Sequence, residues 1–194
     1  MGGERGITQW FATMMVADAG RAGRPGSPAA HFPNVPLRTQ HNRAVRFYDD
    51  LVKGKLVIIS FMFTSCTDLC PRTTANLVKV KDALGAHAGR DVFLISVSVD
   101  PAHDTPTVLK KYTDRFHTGP GWTFVTGSVE DVALIQRKLG VAATDDEPDH
   151  TGMIVYGNEV SGSWSAMPAM LSPGTIARTV LRLVESGAST TATR

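Results

Sequence analysis

From His31 onward the chain alternates short apolar runs with segments whose apolar residues recur at helical spacing, which is the order of an α/β protein. Residues 37–39 and 45–47, separated by 40–44, predict a small leading hairpin. Residues 55–63 (KLVIISFMF) form a hydrophobic run broken only by Ser60, which predicts a strand covered on both faces at the centre of a sheet. Pro71 suits a first helical turn, where its missing N–H is not needed, and Leu77, Val80 and Leu84 lead to Gly85 as a stop, predicting a helix over 71–84. Residues 92–99 (VFLISVSV) are a second buried strand, after which Thr105-Pro106 caps a helix carrying Leu109, Tyr112 and Phe116 on one face. Residues 122–125 predict a third strand. Ser128, Glu130 and Asp131 open a helix bearing Val132, Ile135 and Leu139, with the acids at the positive end of its dipole. Residues 153–156 and 162–166 predict a hairpin turning at Gly157-Asn158, and Ser172-Pro173 caps a last helix with Ile176, Val180 and Leu183.

This succession fits a thioredoxin-like fold, a central mixed sheet flanked by helices, with an extra helix and strand inserted and a small N-terminal hairpin. Composition agrees: 194 residues, 42% apolar and 20% charged, suit one globular domain and exclude disordered and collagen-like chains. A net charge of +2 offers no extended basic surface, so no nucleic-acid partner is expected. The charge is unevenly placed, with six arginines against Glu4 and Asp18 in residues 1–46 and a mildly acidic remainder. Residues 56–63 are far shorter than the ~20 apolar residues of a membrane helix. Residues 10–17 (WFATMMVA) with Ala17-Asp18-Ala19 have some character of an export signal, but Glu4 cancels Arg5, and Gly, Pro and Ala dominate 20–30. The expected plan is a disordered leader or linker over 1–30, a thioredoxin-like domain over 31–186 and a flexible tail over 187–194.

The chemistry centres on the only two cysteines, Cys66 and Cys70. Two positions drawn at random in a chain of this length fall that close about one time in twenty-five, so the spacing favours a joint role. They lie where the central strand ends and the first helix begins, among polar Thr64, Ser65, Thr67 and Asp68. Helix-start amides favour thiolate there, and both sulfurs are expected to ionise near neutral pH. Two such thiolates can close a disulfide or clamp a soft metal ion. Structural zinc would have to recruit two of the six histidines. Cu(I) accepts two thiolates and one imidazole, and Cu(II) the same set with an added oxygen.

His31, His41, His87 and His117 read as surface residues. His103 follows the second strand and His150 immediately precedes the fourth, two ends that approach the cysteine loop in a thioredoxin-like sheet. Asp104 is expected to cap the turn into the Thr105-Pro106 helix, and Asp100 to accept hydrogen bonds from loop N–H groups. Met153, Met167 and Met170 have the softness to attract Cu(I), but Met153 occupies a strand position and is expected to pack.

Residues 61–71 (FMFTSCTDLCP), 98–106 (SVDPAHDTP), 122–127 (WTFVTG) and Asp149-His150-Thr151 resemble the Sco/SenC family of copper-binding proteins, as do 32–37 (FPNVPL) and 45–50 (VRFYDD). The resemblance implies a thioredoxin-like fold and one copper ion, Cu(I) or Cu(II), held by Cys66, Cys70 and His150, with Asp100 near the metal. It also implies a place in the bacterial cell envelope, on the periplasmic side, and membrane attachment only through an anchor that residues 1–30 do not display. The implied task is to help assemble the binuclear copper centre of cytochrome c oxidase, or a related cuproprotein, by metal delivery or by thiol reduction. The implied partner is the copper-bearing subunit of that oxidase or another cuproprotein. The alternative is a thiol-disulfide oxidoreductase in which Cys66 attacks and Cys70 resolves. Such an enzyme of this fold wants a proline just before the fourth strand; Pro148 is two residues too early, and His150-Thr151 hold the place. A peroxidase would need a cationic thiol environment, and Arg72 is the only arginine near the pair.

Overall fold

The computed structural model describes residues 32–141 and 152–191, with side chains through Val184. Seven strands form one sheet: β1 (Pro36–Thr39), β2 (Ala44–Arg46), β3 (Leu56–Met62), β4 (Val92–Ser98), β5 (Trp122–Thr126), β6 (Met153–Asn158) and β7 (Ser163–Pro168). Their spatial order is β2-β1-β5-β4-β3-β6-β7. The three central strands, β5, β4 and β3, run parallel, and the other pairings are antiparallel. Among the described residues four α-helices accompany them: α1 (Leu69–Leu84), α2 (Pro106–Phe116), α3 (Val129–Lys138) and α4 (Pro173–Thr191).

The continuous run at 56–62 becomes β3 because both of its faces are covered. Leu56, Ile58 and Met62 join Leu77 and Val80 of α1, Leu109 and Tyr112 of α2 and Ile176 and Val180 of α4. Val57 and Ile59 join Ile95 and Val97 of β4, Val132 and Ile135 of α3 and Phe47 and Val52 of a π-helical turn, Phe47–Val52. The crossovers β3-α1-β4 and β4-α2-β5 step in the same direction across the sheet, which puts α1 and α2 on one face. The chain then passes along the other face through α3 to reach β6 on the far side of β3. Direction therefore reverses at β3, the switch point of the sheet, and the cysteine loop leaves its carboxyl end.

Capping follows local chemistry. The Thr105 hydroxyl accepts from the Val108 N–H at 3.4 Å, Ser128 from Asp131 at 3.1 Å and Ser172 from Thr175 at 3.2 Å. Two features differ from the sequence pattern. Gly157-Asn158 is not the hairpin turn: both residues lie in β6, and the chain reverses at 159–162, where Gly162 adopts φ +69°. The Trp164 ring lies over Gly157 where a Cβ would stand, so the glycine serves cross-strand packing. Asn158 supports the real turn by accepting from the N–H of Val160 at 3.0 Å. The last helix, in turn, continues to Thr191, past residue 186.

Candidate functional site

Residues 63–68 carry the chain from the end of β3 into α1. Asp68 precedes the helix but makes no side-chain cap, leaving first-turn amides to be satisfied by other groups. The Cys66 sulfur takes that role, accepting from the Cys70 N–H at 3.3 Å. Partial burial pushes the Cys66 thiol up, but the amides of Cys70, Asp68 and Leu69, together with the Cys70 thiol, outweigh it and hold Cys66 below its ordinary 9.0. This is the helix-start stabilisation of a thiolate, focused on one sulfur.

Cys70 is different. It lies inside the first turn of α1, is 2% exposed and packs in the apolar core with Met62 and Leu77. Burial pushes its thiol up to about 12; a hydrogen bond from the Phe63 backbone opposes the shift, while Cys66 and Asp104 add to it. The expectation that both sulfurs ionise near neutral pH is therefore corrected, because desolvation outweighs the helix start at the inner position. Both cysteines are free.

Beneath the pair, the Tyr112 hydroxyl meets the Thr74 hydroxyl at 2.9 Å. Burial raises the Tyr112 phenol to about 12, and the electrostatic influence of Cys70 and Cys66 reaches it. Further down the same face, Ser96 accepts from Trp122 Nε1 at 2.9 Å and pairs with Ser60 at 2.8 Å. None of these hydroxyl groups stood out in the sequence, where Tyr112 counted only as part of an apolar face.

Asp104 departs from its expected place. It does not cap α2, a task that falls to Thr105; it is 0% exposed and accepts from Thr64 N–H at 3.1 Å, from the Thr64 hydroxyl and from Ser98 Oγ at 2.6 Å. Asp100 receives loop amides through its carbonyl, from His103 at 3.1 Å and Asp104 at 2.9 Å, and its carboxylate binds the His103 imidazole at 2.8 Å. His103 is 79% exposed on its side chain. His41 and His117 are exposed, and His87 pairs with Asp91 at 2.7 Å. Met167 is buried in the same core cluster as Cys70, Met153 is half-buried in β6 and Met170 is 44% exposed. Arg72 pairs with Asp68 at 3.5 Å rather than with a thiol.

His150, the third expected ligand, lies outside the described residues, as do Asp149, Thr151 and Pro148. Among the described residues no group of three or more His, Cys, Asp or Glu is arranged to hold a metal ion. What they supply is a pair of soft sulfurs, one stabilised as thiolate, which suits Cu(I) once a further donor joins. Among them, too, no helix is long and apolar enough to cross a membrane.

Parallel β3, β4 and β5, antiparallel β6 and β7, and a cysteine pair at the start of the helix after β3 define a thioredoxin-like thiol protein. The SCO1/SenC family model matches residues 36–185, and the chain belongs to that family. The SCO1 protein homolog of Bacillus subtilis is 35% identical over 148 residues, 74% of this chain and 75% of the relative. The structure of Bradyrhizobium japonicum ScoI with copper bound superposes with a TM-score of 0.63 at 28% identity, over 78% of this chain and 99% of that one. A SCO1/SenC family lipoprotein from Bacillus anthracis gives a TM-score of 0.67 at 25% identity, over 79% and 94%. The chain spans about half the length of the first curated relatives it matches.

Proposed function

We propose that this chain carries one copper ion as cargo on Cys66, Cys70 and His150 and passes it to a cuproprotein, with the copper-bearing subunit of cytochrome c oxidase as the foremost recipient, on the periplasmic side of a bacterial envelope. The observation that carries the reading is the pair of free sulfurs at the carboxyl end of the central strand, in a family with a copper-bound member. The half-exposed Cys66, the more easily ionised of the two sulfurs, is the first point of contact. Cys70 gives up its proton as the ion enters, so uptake releases protons and strengthens with rising pH. Release proceeds by ligand exchange with the soft donors of the recipient, and no turnover is needed. The family resemblance and the lipoprotein relative support the envelope location.

The unequal sulfurs also favour a second reading. In a thiol-disulfide reductase the Cys66 thiolate attacks a client disulfide, forming a mixed disulfide and releasing one client thiolate. Cys70 then loses its proton and attacks Cys66 Sγ, releasing the second client thiol and leaving this chain oxidised. Copper delivery to an apo copper-binding domain, measured beside insulin reduction, separates the two. The carrier reading expects transfer that is lost in His150→Ala and poor insulin reduction. Insulin reduction near the rate of thioredoxin, unchanged by His150→Ala, would reverse the ranking.

A further inference from the structure

A carboxylate removed from water normally demands a cation or several strong donors. Asp104 is fully buried, and the donors it has gathered are neutral groups from two separate segments: the amide and hydroxyl of Thr64, and the hydroxyl of Ser98. Thr64 stands two residues before Cys66, where the chain leaves β3, while Ser98 ends β4. The amide just before Thr64, that of Phe63, goes to the Cys70 sulfur. Two successive amides are thus shared between a cysteine and Asp104. Ser98 carries the connection onward, because its hydroxyl also accepts from the Asp100 N–H at 3.1 Å.

We infer that Asp104 is a positioning residue that anchors the 63–66 segment to the end of β4 and so favours the dithiol arrangement, in which Cys66 Sγ accepts from the Cys70 N–H, over closure into a disulfide. Closing that bond draws Cys66 toward Cys70, and the pull falls on a segment fixed at Thr64 on both its amide and its hydroxyl. The inference rests on the reading of Cys66 and Cys70 as a working dithiol. Its chemistry is balanced by glutathione: the dithiol and one glutathione disulfide give the protein disulfide and two molecules of glutathione, with two electrons leaving the chain.

The test is the equilibrium constant of that exchange, a readout that needs no copper, on the full chain. Asp104→Asn retains the size of the side chain but replaces an oxygen acceptor by a donor. It should shift the equilibrium toward the disulfide by at least about tenfold, because two of the hydroxyl and amide bonds are lost. Thr64→Val, which removes only the hydroxyl, should shift it by about threefold or more, and Thr64→Ser, which restores the hydroxyl, should lie within about twofold of the unaltered chain. Glu159→Gln is the control. Glu159 is also buried, accepting from the Tyr48 hydroxyl at 2.8 Å and the Gly54 N–H at 2.7 Å, and its loss should lower the Tm without moving the equilibrium. Asp104→Asn within about twofold of the unaltered chain, or Glu159→Gln shifting the equilibrium equally, overturns the inference. If Asp104→Asn does not fold, the Thr64 pair decides: Val and Ser behaving alike overturns it. A chain that binds no copper but shows these shifts removes the carrier reading and leaves the positioning role standing.

Discussion

The inequality of the two sulfurs can be tested by alkylation of the reduced chain across a pH series. A thiol of pKa 9.0 is about 1% thiolate at pH 7, and Cys66 lies below 9.0. Cys70, at about 12, is ionised at pH 7 to only about one part in 10⁵. Thiolate population therefore favours Cys66 by at least about a thousandfold. The more basic thiolate is the better nucleophile, and a Brønsted slope of about 0.4–0.5 over that gap returns roughly fifteen- to thirtyfold to Cys70. A net preference of at least about thirtyfold for Cys66 remains, and the 2% exposure of Cys70 widens it. Sub-stoichiometric iodoacetamide, quenched and read by peptide mass spectrometry between pH 5.5 and pH 9, measures both rates. The Cys66 rate should climb about tenfold per pH unit while the pH is below its pKa and bend over at a midpoint below 9, while the Cys70 rate should still be climbing at pH 9. Equal rates at pH 7, or faster labelling of Cys70, would refute the argument that burial outweighs the helix start at the inner position.

Ser96→Ala leaves the Trp122 N–H and the Ser60 hydroxyl without a shared partner in the core; urea unfolding should show a loss of about 2–4 kcal/mol, and a loss below about 1 kcal/mol would contradict the network. The Asp100 carboxylate, by its hydrogen bond and its charge, holds His103 above 6.5. The pair's contribution to stability is thus complete below 6.5 and fades as pH rises through the folded value of His103. NMR titration should place the His103 midpoint above 6.5 and Asp100→Asn should bring it back; an unchanged midpoint in the variant would remove the pairing. Oxidising Cys66 and Cys70 to a disulfide removes both sulfur anions, so the oxidised chain should take up less than about one-tenth of the copper bound by the reduced chain. Comparable uptake would show that sulfur is not the donor.

Features with local causes were legible in the sequence. Thr105, Ser128 and Ser172 cap their helices because a hydroxyl reaches amides three residues on, whatever the rest of the chain does. Residues 56–62 read as a central strand because burial on both faces leaves no polar alternation. Features decided by distant partners were not legible. Gly157-Asn158 has the composition of a turn, and only the Trp164 ring across the hairpin reveals Gly157 as a strand residue. Asp104 looks like a cap until Thr64, forty positions earlier, is seen to meet it. The π-helical turn at Phe47–Val52 left no helical period to read. At the site, the placement of Cys66 and Cys70 at the end of β3 could be read from the order of elements, but their unequal ionisation could not. It depends on how deeply the first turn of α1 sinks into the core formed by Met62, Leu77 and Tyr112.

Whether this dithiol together with His150 holds copper is decided by metal analysis and visible spectroscopy of the purified, reduced chain after copper addition and desalting, beside Cys66→Ala, Cys70→Ala and His150→Ala. One copper per chain, thiolate-to-copper charge-transfer bands in the Cu(II) form, and loss of tight binding in each of the three variants are expected. Full affinity and an unchanged spectrum in His150→Ala would contradict the three-ligand site, and retention of copper in both cysteine variants would contradict the carrier reading as a whole.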